Sequence, residues 1–183
     1  MNQEFTNLIN SICSSLFEGE IWHERSGGEC RKIAVRGWGR WHDHEAKGDM
    51  CSRMCIEKLL RDKCDYSPTI DVGVATRAMS YSIPAVGSLK EHLTSWIARE
   101  EQFINTLNQA IKIAATVDID IYKCLIDLTA EVQAEKMRVN LCVKRLDVGQ
   151  WGGHDISIVS MILHEFFEKN DGDDLKYVNV NLG

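Results

Sequence analysis

Proline occurs at only two positions in this chain, Pro68 and Pro84, and both stand in one short stretch. Proline breaks a helix by removing an amide donor and crowding the preceding turn, so the long proline-free blocks on either side favour long helices over many short strands. The chain has 183 residues, enough for one domain with a substantial core. Its 44% hydrophobic and 26% charged residues are an ordinary globular balance.

Apolar spacing places the helices. Phe5, Leu8, Ile9, Ile12, Leu16 and Phe17 recur at a helical period over 3–25. Ser26-Gly27-Gly28 then reads as a turn, with Gly37–Gly39 as the alternative break. A second helix is expected over about 29–62, through Ile33, Trp38, Trp41, Ile56 and Leu59. Residues 63–87 are non-periodic and read as a crossover along the bundle. A third helix follows over about 88–115, with Ser88 at its cap and Glu91 three residues on. A fourth runs over about 119–147. Beyond Gly149, Gly152 and Gly153, a short amphipathic helix uses Ile156, Val159, Ile162, Leu163, Phe166 and Phe167. The expected fold is an all-α, antiparallel four-helix bundle over 1–169, followed by an acidic tail at 170–183.

Three carboxylates break the core stripes. Helix three presents Leu89, Leu93, Trp96, Glu100, Phe103 and Leu107, and helix four presents Leu125, Leu128, Val132, Glu135, Val139 and Cys142. Helix two has Trp38, Trp41 and then Glu45. A buried carboxylate must be protonated, paired or metal-bound. Measured from turns near 27 and 117, all three glutamates fall roughly 26 Å down their helices, on one level of the bundle. Pairing with Arg99, Lys136 or Arg138, or a solvated heptad edge, is the simpler alternative for any one of them.

At this point the chain resembles the ferritin, bacterioferritin and Dps superfamily. Trp96 to Ala115, WIAREEQFINTLNQAIKIAA, is similar to the third helix of ferritins, with Glu100 in the place of their iron-binding glutamate; Glu131 and Glu135 are similar to the fourth helix. The resemblance implies a ferritin-like bundle with a long crossover between helices two and three and a short fifth helix. It also implies a di-iron centre with ferroxidase-type activity and iron storage in a homo-oligomeric assembly. The metal ligands it implies are Glu45, Glu100 and Glu135, with Asp49 or His44 assisting. Departures are plain: neither helix two nor helix four carries an ExxH pair, and Ile9 stands at the matching depth of helix one. The one ExxH pair, Glu20 and His23, reaches the right depth only if helix one extends to Gly37–Gly39, which would bring Ile56 rather than Glu45 to that level. Ile21 to Gly27 is similar to the end of the first helix of Dps proteins, with Asp49 near a ligand position and Arg53 in place of the next carboxylate.

His42 and His44, beside Asp43 and Glu45, form the densest ligand cluster, although residues two apart on a helix face different ways. Trp38 and Trp41 read as packing or interface residues. The seven cysteines read as reduced thiols; Cys51 and Cys55, one turn apart, offer two sulfurs to a soft metal but lack a second pair. A net charge of -6 without a basic face disfavours nucleic acid as a partner. No signal-like or membrane-spanning segment stands out, so a cytoplasmic protein is expected. The rival to metal handling is a structural or assembly protein on the same scaffold, because a fold does not transfer an activity.

Overall fold

The computed structural model describes residues 2–84 and 88–146. The expected fifth helix and acidic tail lie outside the described residues. Four long helices, α1 (Gln3–Lys32), α2 (Arg36–Cys64), α4 (Leu89–Ala114) and α5 (Ile119–Leu146), are joined by short turns within each pair. The short helix α3 (Gly73–Met79) interrupts the connection between the pairs. Among the described residues there is no strand, and no helix is long and apolar enough to cross a membrane.

Cross-helix contacts give the directions. Arg31 pairs with Asp43 and Glu20 with Arg53, so α1 and α2 are antiparallel. Glu101 pairs with Lys136, and Lys63 with Asp120, so α5 is antiparallel to both α4 and α2. Two antiparallel pairs stacked this way leave α2 and α4 pointing in the same direction, and the chain between them must travel the length of the bundle. It does so along α1: Tyr66 and the Thr69 amide hydrogen-bond Asn10, the Asp71 amide hydrogen-bonds Ser14, and Arg25 donates to the Tyr81 carbonyl.

The first turn falls at neither glycine cluster. Ser26, Gly27 and Gly28 lie inside α1 and Gly37 and Gly39 inside α2, while the chain reverses at 33–35. The glycines serve helix packing instead. A Cβ on Gly27 would come within 2.8 Å of Asp43 Oδ1 and 3.2 Å of the Gly39 carbonyl, so only the bare backbone allows the two helices this close. The turn is a Schellman closure: Val35 N–H donates to the Cys30 carbonyl and Ala34 N–H to the Arg31 carbonyl. Ala34 takes the left-handed position with φ of 63°, where glycine is the usual occupant.

The core divides into two clusters. One end packs Phe5, Ile9, Ile12, Leu16, Ile56, Leu60, Phe103, Leu107, Ile121 and Leu125. The other is aromatic, with Trp22, Trp38, Trp41 and Trp96 among Leu89, Leu93 and Val139. The polar residues of interest lie between and within these two ends.

Candidate metal centre

A cavity of about 300 Å³ opens between the clusters. Glu45 and Asp49 reach it from α2, Glu100 from α4, and Glu131 and Glu135 from α5; His23 and His44 also line it. Glu100 and Glu135 are buried, while Glu45 and Asp49 keep a small part of their surface open. Helix one therefore does extend past the expected turn, and it brings His23 to the same level as Glu45 rather than in its place. The two inter-helix turns lie at opposite ends of long helices, so moving the first turn shifts Glu45 without taking it off the middle level. Glu20, the partner of His23 in the ExxH pair, is held elsewhere by Arg53 at 3.1 Å.

The carboxylates differ in their surroundings. Trp41 Nε1–H donates to Glu135 Oε1 at 2.7 Å. Glu45 lies against Glu135 as well. Burial first, and then the charges of Glu135, Asp49 and Glu100, push Glu45 well above the usual carboxylate range. Burial likewise raises Asp49 and Glu100, against the opposing pull of the Arg99 guanidinium. Arg99 donates from Nε and Nη2 to Glu100 Oε1 at 3.2 and 2.9 Å, and its guanidinium lies 5.2 Å from the centre of the Trp22 ring. Asp49 Oδ2 and Arg99 Nη1 are buried without a hydrogen-bond partner. Arg138 also lines the cavity, its Nε buried without a hydrogen-bond partner, so two guanidinium groups face a larger number of carboxylates, and protons or another cation must make up the difference.

Helix α1 makes room for this cluster at Gly19. A Cβ there would overlap Asp49 Oδ2 outright and come within 3.0 Å of Arg99 Nη2. Gly19→Ala should therefore turn the Asp49 carboxylate away from its place. The helical gain of alanine, about 1 kcal/mol, offsets the rearrangement, so stability should change little. If the cavity holds a divalent cation, as proposed below, affinity for it should fall about tenfold, as when a group that orients metal ligands is disturbed. Manganese titration of both proteins checks this; unchanged affinity would remove Asp49 from the site.

Beneath the cavity runs a row of buried histidines. Trp96 Nε1 donates to His23 Nε2 at 3.1 Å, His23 Nδ1 meets His42 Nδ1 at 2.8 Å, and His42 Nε2 meets His92 Nε2 at 3.0 Å. An indole can only donate, and this sets every tautomer in the row. His23 Nε2 accepts, so its proton is on Nδ1. His42 then accepts at Nδ1 and donates from Nε2, and His92 carries its proton on Nδ1. That last N–H has no partner among the described residues. Burial drives His23 and His42 well below the usual imidazole range and His92 down to about 4. With both nitrogens engaged, His23 is a wall of the cavity and not a free ligand.

The sequence reading left His92 out, although it stands one turn before Trp96 on α4, and that spacing was the available signal. His42 and His44 do separate as their spacing requires: His42 joins the buried row and His44 lines the cavity. Among the described residues, no three His, Cys, Asp or Glu side chains already converge as a ready-made metal site. Glu45 is turned onto Glu135, and Asp49 packs against Gly19 beside Arg99. No protein-family model matches the chain, and no curated protein is significantly similar to it.

Proposed function

We propose that this is a ferritin-like metal-handling protein that takes up a hard divalent cation, iron foremost, in the carboxylate cavity at mid-bundle. One observation carries the reading: Glu45, Asp49, Glu100 and Glu135, from three helices, meet at a single level, and the guanidinium groups beside them, Arg99 and Arg138, are fewer than the carboxylates. An all-oxygen donor set of this kind suits iron, manganese or magnesium rather than a soft metal. Glu45, Asp49 and Glu135 would hold the ion, and Glu131 stands at the rim. In this proposal Arg99 and Glu100 stay paired and occupy the room of a second ion, so one cation per chain is expected rather than a di-iron pair.

Bound iron would supply one-electron chemistry, with oxidation of Fe(II) by dioxygen as the family resemblance implies. The chain's own residues do the rest. Trp41 holds Glu135 in orientation, the proton on Glu45 leaves when the cation enters, and the aromatic floor keeps bulk water out from below. Self-association into a storage assembly belongs to the same reading. Met137 and Leu141, 61% and 52% exposed and one turn apart on α5, are the apolar surface it would use.

Arg99 also favours the rival reading, a structural bundle whose acidic core is neutralised by its own guanidinium and by protons. Elemental analysis after anaerobic Fe(II) loading, beside light scattering, separates the two. Glu135→Gln keeps an oxygen to accept the Trp41 N–H but loses one ligand charge. Under the metal reading, the wild type retains about one iron per chain and the variant loses most of it, as for loss of a carboxylate ligand. If both proteins emerge free of metal, the structural reading stands.

A further inference from the structure

Helix α5 ends at Leu146, at the same end of the bundle as the α1–α2 turn and the start of α4, where Cys30, Val35, Leu89 and Val143 pack in one cluster. That end is basic. Arg36 and Arg40 on α2 and Lys144 on α5 are exposed, and Lys32 on α1 stands beside them, exposed while it covers Glu29 at 2.6 Å. Of the carboxylates nearby, Glu29 and Asp43 are held in ion pairs with Arg25, Lys32 and Arg31, which leaves Glu24 and Glu91 exposed. The net charge conceals this patch, because it is assembled from the ends of three helices and the chain's negative charge lies elsewhere. Residues 147–183 hold seven acidic residues and two basic ones, whereas the 146 residues before them hold twenty and nineteen. Five of the seven, Glu165, Glu168, Asp171, Asp173 and Asp174, fall within ten residues that contain a single lysine.

We propose that this basic end is the docking surface for the chain's own acidic segment, residues 165–174, which pairs its carboxylates with Lys32, Arg36, Arg40 and Lys144. Charge complementarity and covalent connection select this occupant. The segment follows the helix that ends at the surface it covers. Glu165 lies nineteen residues beyond Leu146. A stretch of that length spans up to about 60 Å, against an interhelical spacing of about 10 Å, so reach sets no limit. One exposed ion pair contributes little in water. Several carboxylates on one tether act together, because the tether keeps them at an effective concentration in the millimolar range. A free polyanion, or the same segment of a second copy, has to compete with that concentration.

Docking makes this end of the bundle self-shielding. Arginine and lysine side chains that would draw a nucleic acid or another acidic surface are neutralised by the chain itself. The cover lifts as salt screens the pairs, whose attraction already fades over about 8 Å at physiological ionic strength. Exposed carboxylates lose their charge only near pH 4, so the cover persists across neutral pH. The inference stands independently of whether the cavity binds metal.

The test is zero-length carbodiimide cross-linking of the full-length protein, in dilute solution at low salt, followed by peptide mapping. The expected products are amide links from carboxylates of 165–174 to Lys32 and Lys144. Their yield should fall about fivefold or more in about 0.5 M salt. It should fall by a similar factor in the double variant Arg36→Glu, Arg40→Glu, which reverses the patch without touching either lysine. The Lys63–Asp120 pair, at 2.6 Å near the opposite end of the bundle, should link equally in both proteins and shows that the variant is folded. Links from the segment to Lys63, Lys112 or Lys123 instead, or yields that salt leaves unchanged, would overturn the proposal. So would links that join isotopically labelled to unlabelled chains, which make the occupant a second copy, or a short DNA duplex that binds this end while the links stay intact.

Discussion

Replacing His42 with alanine is expected to cost about 4 kcal/mol, a fall in melting temperature of roughly 10–15 °C for a domain of this size. The imidazole is wholly buried among Trp22, Trp41, His23 and His92. Its removal leaves a cavity and breaks two hydrogen bonds at once, at 2.8 and 3.0 Å. The His23 N–H is then a buried donor with no acceptor and His92 Nε2 a buried acceptor with no donor, each worth about 1–3 kcal/mol. His42→Phe separates the causes, because it keeps the ring volume but satisfies neither neighbour. It should still lose about 2–3 kcal/mol if hydrogen bonding dominates. Thermal melts of the three proteins at pH 7 decide this, and a loss of under 3 °C in both variants would show that the row is not holding the bundle together.

The second large effect is a pH dependence in which two groups of opposite sign oppose each other. His23, His42 and His92 have folded pKa values below the unfolded value, so the unfolded chain binds more protons below about pH 6.5 and stability falls as the medium turns acid. Glu45, Asp49 and Glu100 have folded values above the unfolded ones, so the folded chain holds the extra protons and stability falls as pH rises through those values. Each group contributes about 1.4 kcal/mol per pH unit within its window. On the mildly acid side the two sets act in opposite directions, so the pH dependence of the metal-free protein there is weaker than either set alone would give. Above pH 6.5 the histidines fall silent, and any proton release from Glu45 and Asp49 in that range lowers the stability of the metal-free protein as pH rises. Manganese should restore that alkaline loss, because a cation replaces the protons on the carboxylates. With the carboxylates so occupied, the histidine contribution is unopposed and the loaded protein should become the more acid-sensitive form. Denaturant titrations from pH 5 to 8.5, with and without manganese, test the pattern. Identical profiles with and without the ion would dissociate the cavity from metal, and an apo protein more stable at pH 8 than at 6.5 would contradict the buried-carboxylate reading.

Several parts of this protein were legible in its residues because they depend on local rules. Helical periodicity and the paired prolines located four long helices and the crossover, and Glu100 and Glu135 announced themselves as charges in apolar stripes. The depth estimate that grouped them with Glu45 survived a misplaced turn. Ser26-Gly27-Gly28 looks like a break because glycine is weak in a helix. It is helix because Gly27 and Gly39 touch across the hairpin, and that burial outweighs propensity. Ala34, which no turn rule selects, makes the reversal instead.

The histidine row could not be read this way. His23, His42 and His92 come from three helices, and nothing in the spacing of one helix says which face of another it will meet. Arg99 is the clearest case, since its neighbour Glu100 marks a core position and arginine beside it reads as solvent-facing. Gly19 removes the side chain that would have kept Asp49 and the guanidinium out, so Arg99 turns inward under Trp22. Sequence alone thus determined the helices, their apolar faces and the presence of misplaced charge, because these follow from periodicity and the cost of burying an ion. Only the tertiary structure decided how that charge is balanced, because the crowding of carboxylates, an inward-turned guanidinium and donor direction depend on distances of a few ångströms between helices far apart in the chain.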